Sequence, residues 1–359
     1  MTVCIIGNSL SALTLAKAIV KQNIYVDVLY SKKNSYINKT RTIGISKSNT
    51  DYLNKHVINV NKLLWKIKKI EIFSDNLNKE KIADFVNDDE QVFSMIKNHQ
   101  LYQLLDENLS KNKYFDLKLF SNKNSSLISN YDLVINCEYS NFISKKYFSK
   151  KIIKDYDSKA FTTIITHEKI LNDVAVQIFS DKGPLAFLPI SNTQTSVVYS
   201  VYNSLNEKKE NIKKIIRNKN LKYKIKKIDE ISSFDLKAFN LRSYHFKNIL
   251  AFGDLLHKIH PFAGQGFNMS IRDTKYLVNI IKEKIDLGLP LDESVSIEFE
   301  NSLRHKNFIF LSGLDLIYEF FNIERNFKNN YLGKSVQLIS KYPEINKIFK
   351  QIADKGVLI

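Results

Sequence analysis

The stretch Ile249-Leu-Ala-Phe-Gly-Asp-Leu-Leu-His-Lys-Ile-His-Pro-Phe-Ala-Gly-Gln-Gly-Phe-Asn-Met-Ser-Ile-Arg-Asp273 decides the fold. Ile249 to Gly253 reads as a core strand ending at Gly253-Asp254. A short linker reaches Pro261, and Ala263-Gly264-Gln265-Gly266 makes a flexible turn. From Gly266 onward apolar residues recur at helical spacing, which predicts a helix running to Ile285. Each part suits one chemistry. Asp254 at a strand end can accept hydrogen bonds from polyol hydroxyls. Gly264 and Gly266 carry no side chain, so their backbone can approach a flat ring closely. The helix then points its positive end at that ring and would stabilise negative charge developing on it.

The N-terminus supplies the complementary half. Thr2–Ile6 reads as a buried strand, Leu10–Val20 as a helix and Tyr25–Tyr30 as a second strand. Strand, tight turn, helix and strand form the opening of a dinucleotide-binding unit. The turn is Gly7-Asn8-Ser9-Leu10-Ser11-Ala12, a partial G-x-G-x-x-G. Gly7 holds the tight-turn position. Ser9 stands where backbone should approach a pyrophosphate, and Ala12 where helix and sheet pack closely. The helix start still offers N–H groups to phosphate. An ordinary strand-turn-helix would read the same way. Tyr30 occupies the place of the usual ribose carboxylate, either stacking on adenine or packing, and Asp27 lies nearby on a strand face.

Further buried strands are expected at Tyr131–Asn136 and in a β-rich middle: Ala160–His167, Val174–Phe179, Gly183–Pro189 and Thr195–Tyr202. Residues 31 to 56 read as polar and turn-rich. Ile70–Phe73 and Ala83–Val86 alternate as strands of a second layer, Leu101–Leu109 reads as a helix, and the last 75 or so residues read as mainly helical. The nucleotide layer thus comes in pieces, with an antiparallel sheet inserted between them. No internal repeat is evident.

Residues 253 to 268 resemble the Gly-Asp motif of class A flavin monooxygenases, in the form typical of ubiquinone-biosynthesis hydroxylases. His260-Pro261-Phe262-Ala263-Gly264-Gln265-Gly266-Phe267-Asn268 fits that pattern throughout, with Leu255 and Leu256 replacing its paired alanines. Gly183 to Pro189, Arg41 and Glu300 to Arg304 agree with it. The resemblance implies an α/β fold: a Rossmann-like FAD-binding domain of the GR2 type, an inserted antiparallel substrate sheet and a helical C-terminal region. It divides the chain into FAD-binding segments 1–60, 98–155 and 246–290, substrate-domain segments 61–97 and 156–245, and a helical region 291–359. It implies FAD as cofactor, NAD(P)H as transient reductant and a polyprenyl-phenol lipid as substrate. Arg41 would lie near the flavin and pyrophosphate, and Glu138 would take the place of an aspartate that helps hold the pyrophosphate. Tyr139 stands where that motif has glycine. These departures motivate an alternative, a non-catalytic accessory or lipid-binding member. Another flavin oxidoreductase, such as a halogenase or a geranylgeranyl-type reductase, is a third reading. No catalytic acid or base is assigned. Phe179, Leu185, Phe187 and Leu188 read either as a wall of the substrate pocket or as sheet core.

The net charge of +17 invites a nucleic-acid reading. It is spread along a lysine-rich, asparagine-rich chain, and the densest run, Asn203 to Lys227, reads as a solvated face, so no nucleic-acid partner is expected. The two cysteines, Cys4 and Cys137, make no disulfide framework. With no secretory segment read, a cytoplasmic protein is expected. The apolar stretches Phe308–Leu314 and Leu316–Phe321 suggest burial on the flavin domain or peripheral contact with the inner face of the cytoplasmic membrane, or with other ubiquinone-biosynthesis proteins. His257 and His260 lack a third metal ligand at useful spacing, so no metal is expected.

Overall fold

The computed structural model describes residues 1–31, 39–75, 81–86, 91–120, 128–202, 208–259, 265–327, 351 and 354–355. The N-terminal third contains β1 (Thr2–Ile6), α1 (Leu10–Val20), β2 (Tyr25–Tyr30), β3 (Thr42–Ser46), α2 (Lys47–Tyr52), β4 (Trp65–Ile67), β5 (Lys69–Ser74), β6 (Lys81–Val86), β7 (Phe93–Lys97), α3 (Asn98–Leu109) and β8 (Phe115–Leu119). The middle contains β9 (Leu133–Asn136), α4 (Phe142–Tyr147), β10 (Lys151–His167), β11 (Val174–Ser180), β12 (Gly183–Pro189), β13 (Gln194–Tyr202) and α5 (Lys209–Lys219). The remainder contains β14 (Ile225–Ile228), β15 (Ser232–Leu241), β16 (His245–Phe246), β17 (Ile249–Ala251), β18 (His257–Lys258), α6 (Gln265–Asp286) and α7 (Glu293–Phe327).

Val3 to Ile6 and Leu133 to Ile135 are apolar and fully buried, as strands covered on both faces must be. They sit at the centre of a six-stranded sheet of order β16-β17-β9-β1-β2-β8. Its inner pairs are parallel. From β1 the chain crosses through α1 to β2 on one side and later returns to β9 on the other. The order therefore reverses at β1, where open α/β sheets bind ligands beyond their carboxyl ends.

The inserted sheet has nine strands, eight along the path β18-β15-β10-β13-β12-β11-β5-β6 with β14 pairing β10. It is antiparallel as expected, except that β5 and β11 run parallel. Its longest member, β10, covers Lys151–His167 and pairs with β15 on both sides of a register shift between Asp155 and Lys159, where Asp157 has φ 45°. The expected boundary at 155/156 thus falls inside one strand.

Two expectations need correction. Residues 31 to 56 are not all turns: Thr42–Ser46 forms β3, pairing with β7 in a small sheet of order β3-β7-β4. Segment 61–97 is accordingly split, with β4 and β7 in the small sheet and β5 and β6 in the large one. Of the two readings of the apolar strand residues, a shared pocket wall gives way to sheet core for Leu185 and Phe187. Leu185 and Phe187 are buried with Val197, Tyr199, Ile212 and Ile216, beneath α5. The opposite face carries Leu188, which packs with Trp65, Met95, Phe93 and Ile190 against the small sheet. Alternation along a strand sends neighbours to opposite faces, so four residues including 187 and 188 cannot line one wall.

Helix α5 buries Ile212 and Ile216 and leaves most of its polar residues exposed. In α7, Val295, Phe299, Leu303 and Phe310 are buried, whereas Phe308, Ile309 and Leu316 are exposed. Among the described residues no helix is long and apolar enough to cross a membrane.

Candidate functional site

Gly7 ends β1 with φ 105° and donates its N–H to Leu29 O at 2.7 Å. A β-carbon at Gly7 would lie 3.2 Å from that of Glu138, so this glycine lets the turns after β1 and β9 approach each other. Ser9 caps α1, its hydroxyl accepting from Ala12 N at 3.3 Å. The amides of Leu10 and Ser11 belong to the first helical turn and have no intrahelical acceptor. Ala12 is fully buried, in keeping with close helix–sheet packing, and Leu10 is partly buried.

Beyond β17 the chain makes a 3₁₀ turn, Gly253–Leu255. Gly253 has φ 60°, and a β-carbon there would sit 2.9 Å from that of Ser11. The two sequence motifs, 246 residues apart at their first glycines, therefore meet directly across the carboxyl edge of the sheet. Asp254 projects to solvent from this turn. The buried Cys137 thiol is pushed well up in pKa, by burial first and then by the Asp254 and Glu138 carboxylates.

Glu138 spends its carboxylate locally: Oε1 accepts from Ser140 Oγ at 2.6 Å and Ser140 N at 3.3 Å. Asn136 accepts Glu138 N at 3.1 Å and donates to Ser144 Oγ at 2.9 Å. Tyr139 does not have the left-handed backbone that would require glycine, and its ring is 65% exposed.

At the start of α6, Asn268 bridges to β3. Its Oδ1 accepts from Ser46 N and Asn49 Nδ2, both at 3.0 Å, and its Nδ2 donates to Gly44 O at 2.9 Å. Gln265 is buried, Gly266 has Ile259 at ordinary contact distance, and Phe267 is partly buried against the core. Pro261, Ala263 and Gly264, with His260 and Phe262, lie outside the described residues. Arg41 is exposed, its carbonyl accepting from Asn98 N at 3.0 Å at the start of α3. Tyr30 is half-buried at the end of β2. Asp27 is committed elsewhere: Lys118 Nζ lies at 2.7 Å and Tyr131 Oη at 2.6 Å from its Oδ2.

Sequence reasoning missed the Asn268–Gly44–Ser46–Asn49 bridge, because β3 was not foreseen. It also missed the partner of His257, whose Nε2 lies 2.5 Å from Asp273 Oδ2 with both side chains buried. The sixteen-residue spacing of that pair fits no helical or strand period.

A family model described as an FAD binding domain matches residues 153–286. The chain is similar to the ubiquinone biosynthesis monooxygenase COQ6 of Drosophila melanogaster, 21% identical over 282 residues, covering 67% of this chain and 58% of that protein. Alignments to the curated relatives span between 19% and 58% of their length. The p-nitrophenol 4-monooxygenase PnpA of Pseudomonas putida superposes with a TM-score of 0.77 at 11% identity, covering 99% of this chain and 98% of that one. Klebsiella pneumoniae HpxO, complexed with FAD and uric acid, superposes with a TM-score of 0.74 at 10% identity, covering 99% and 96%. This is the fold of class A FAD-dependent aromatic monooxygenases.

The residues of this monooxygenase fold suit a dinucleotide at the sheet edge. Gly7 and Gly253 allow three turns to converge, and the α1 start directs amides outward. The α6 start is anchored through Asn268 rather than left to its own loop. These features supply donors for phosphate and for an electron-rich ring edge.

Proposed function

We propose that this chain is an FAD-dependent monooxygenase that hydroxylates the aromatic ring of a polyprenylated ubiquinone precursor, with NAD(P)H as transient reductant and dioxygen as co-substrate. The observation that carries the reading is the meeting of the Gly7 turn and the Gly253–Leu255 turn at Ser11, beside the point where strand order reverses. The fold supports it, and the names of the curated relatives support the substrate class.

When bound, FAD would supply electron transfer and oxygen activation. The amides of Leu10 and Ser11 would face its pyrophosphate, and Asp254 would accept hydrogen bonds from its polyol chain. The amides at the start of α6 would stabilise negative charge at the ring edge. The apolar residues Trp65, Phe93, Met95, Leu188 and Ile190 lie between the three-stranded and the nine-stranded sheet and are suited to keeping water from the reacting centre. No acid or base is assigned; the phenol of the substrate would activate its own ring. Exposed Phe308, Ile309 and Leu316 on α7 and the net charge of +17 suit peripheral contact with an anionic membrane surface where such a lipid resides, in a complex with other proteins of the pathway.

The flavin content of gently purified protein tests the reading. A flavin absorbance band, with oxygen consumption raised by NADH and a prenylphenol, is expected. A second reading is an accessory member that carries lipid without catalysis. Ser9 capping its own helix, and Glu138 bonded within its own loop, favour it. Colourless protein that stays colourless after FAD supplementation, yet binds a prenylphenol, would establish the second reading over the first.

A further inference from the structure

His257 lies two residues beyond the Gly253–Leu255 turn, and Asp273 lies in the third turn of α6. Their side chains meet at 2.5 Å, and both are buried. A carboxylate only accepts, so Nε2 carries the proton and donates. The other oxygen of Asp273 accepts from Asn307 Nδ2 of α7 at 3.4 Å. Asn240, the cross-strand neighbour of His257, accepts from Tyr244 Oη at 3.2 Å. Asn240, Tyr244, His257, Asp273 and Asn307 are all buried.

A carboxylate in such a place is costly unless it is hydrogen-bonded and its remaining lone pairs are satisfied. An apolar pair of similar volume would fill the space equally well, so burial alone does not account for it. What the pair adds is direction: it sets one separation between the strand that follows the Gly253–Leu255 turn and the helix whose first turn holds Gln265 to Asn268. We propose that His257 and Asp273, braced by Asn307, are positioning residues that fix the Gly253–Leu255 turn against the start of α6, and hence the two halves of the flavin cradle against each other. This rests on the flavin reading above.

The test compares Asp273→Ala, Asp273→Asn and Asn307→Ala in the full chain. One measurement is the FAD dissociation constant from fluorescence titration of the apoprotein. The other is amide hydrogen exchange in the same apoprotein. Asp273→Ala should weaken FAD binding about tenfold or more. It should also speed exchange at 253–257 and 265–268 by a similar factor while β1 and β9 keep their protection. Asp273→Asn, which keeps an acceptor for His257, should recover most of both effects, and Asn307→Ala should show a smaller change of the same kind in case Asp273→Ala fails to fold. Exchange that rises evenly across the core, or stays at the wild-type rate in both segments, would overturn the proposal. If wild-type protein binds no FAD, the flavin reading fails, and the exchange pattern still decides whether the pair positions these two turns.

Discussion

At Gly253 two demands coincide: φ is 60°, and the site of a β-carbon is 2.9 Å from the β-carbon of Ser11. Gly253→Ala should therefore cost about 2–3 kcal/mol, combining backbone strain with displacement of α1. Ser11→Gly in the same background should return the steric part and leave the conformational part. Urea denaturation measures both, and a Gly253→Ala protein as stable as wild type would show that the two turns do not meet as described. Asp254 is exposed and free to face a ligand, whereas Tyr30 is only half-exposed. Asp254→Ala should weaken FAD binding about tenfold to hundredfold and Tyr30→Phe about twofold or less. Similar dissociation constants for the two variants would remove Asp254 from the site. Asp27→Ala makes a contrasting case. It leaves Tyr131 Oη without that acceptor and Lys118 with the more distant Asp116, so stability should fall by about 1–3 kcal/mol while FAD affinity stays unchanged.

Among elements, α7 is held to the nucleotide sheet through one buried carboxylate. Glu300 accepts from Tyr244 N at 2.9 Å, His245 Nδ1 at 2.8 Å and Arg304 Nη1 at 2.9 Å. Glu300→Gln keeps one acceptor and should be tolerated better than Glu300→Ala, which strands a buried amide at a cost of about 1–3 kcal/mol. Thermal denaturation of the two variants distinguishes them, and equal losses would mean that charge alone matters. The elements also differ in how far the sequence reveals them. The bounds of β1, α1 and β2 follow directly from it, because each is an apolar run or a helical face closed by turn residues. Strand β3 is hidden: only Ile43 and Ile45 alternate within five residues, and its partner β7 lies fifty residues on. Strand β8, Phe-Asp-Leu-Lys-Leu, is an exposed edge whose pairing with β2 no local pattern announces. Gly7 and Gly253 were legible as turn residues because the demand for a positive φ is local. Asn268's partners and the His257–Asp273 pair were not, because they depend on which elements the fold brings side by side.

For the whole molecule, α7 also reaches the inserted sheet, where Tyr156 donates to Asp315 and Lys154 pairs with Glu319 at 3.0 Å. One helix thus ties both large sheets, and the chain should unfold in a single transition. Trp65 is the sole tryptophan and sits between the small and large sheets, its indole N–H donating to Asn172 O at 2.6 Å. Its fluorescence and far-UV circular dichroism should therefore give coincident denaturation curves. Combining Glu300→Ala with Asp315→Ala should separate them. Curves that stay superposed in the double variant would show that the sheets are coupled by other means.

The uninterrupted course of β10 has a mechanical consequence. Seventeen residues, laddered to β15 on both sides of the register shift, run through the inserted sheet as a stiff beam. Any swing of one half against the other must bend that beam, and its weakest section is the irregular stretch around Asp157. Flexure there would tilt the far end of the sheet as a lever does, converting a small change in one dihedral angle into a larger displacement of the strands beyond it.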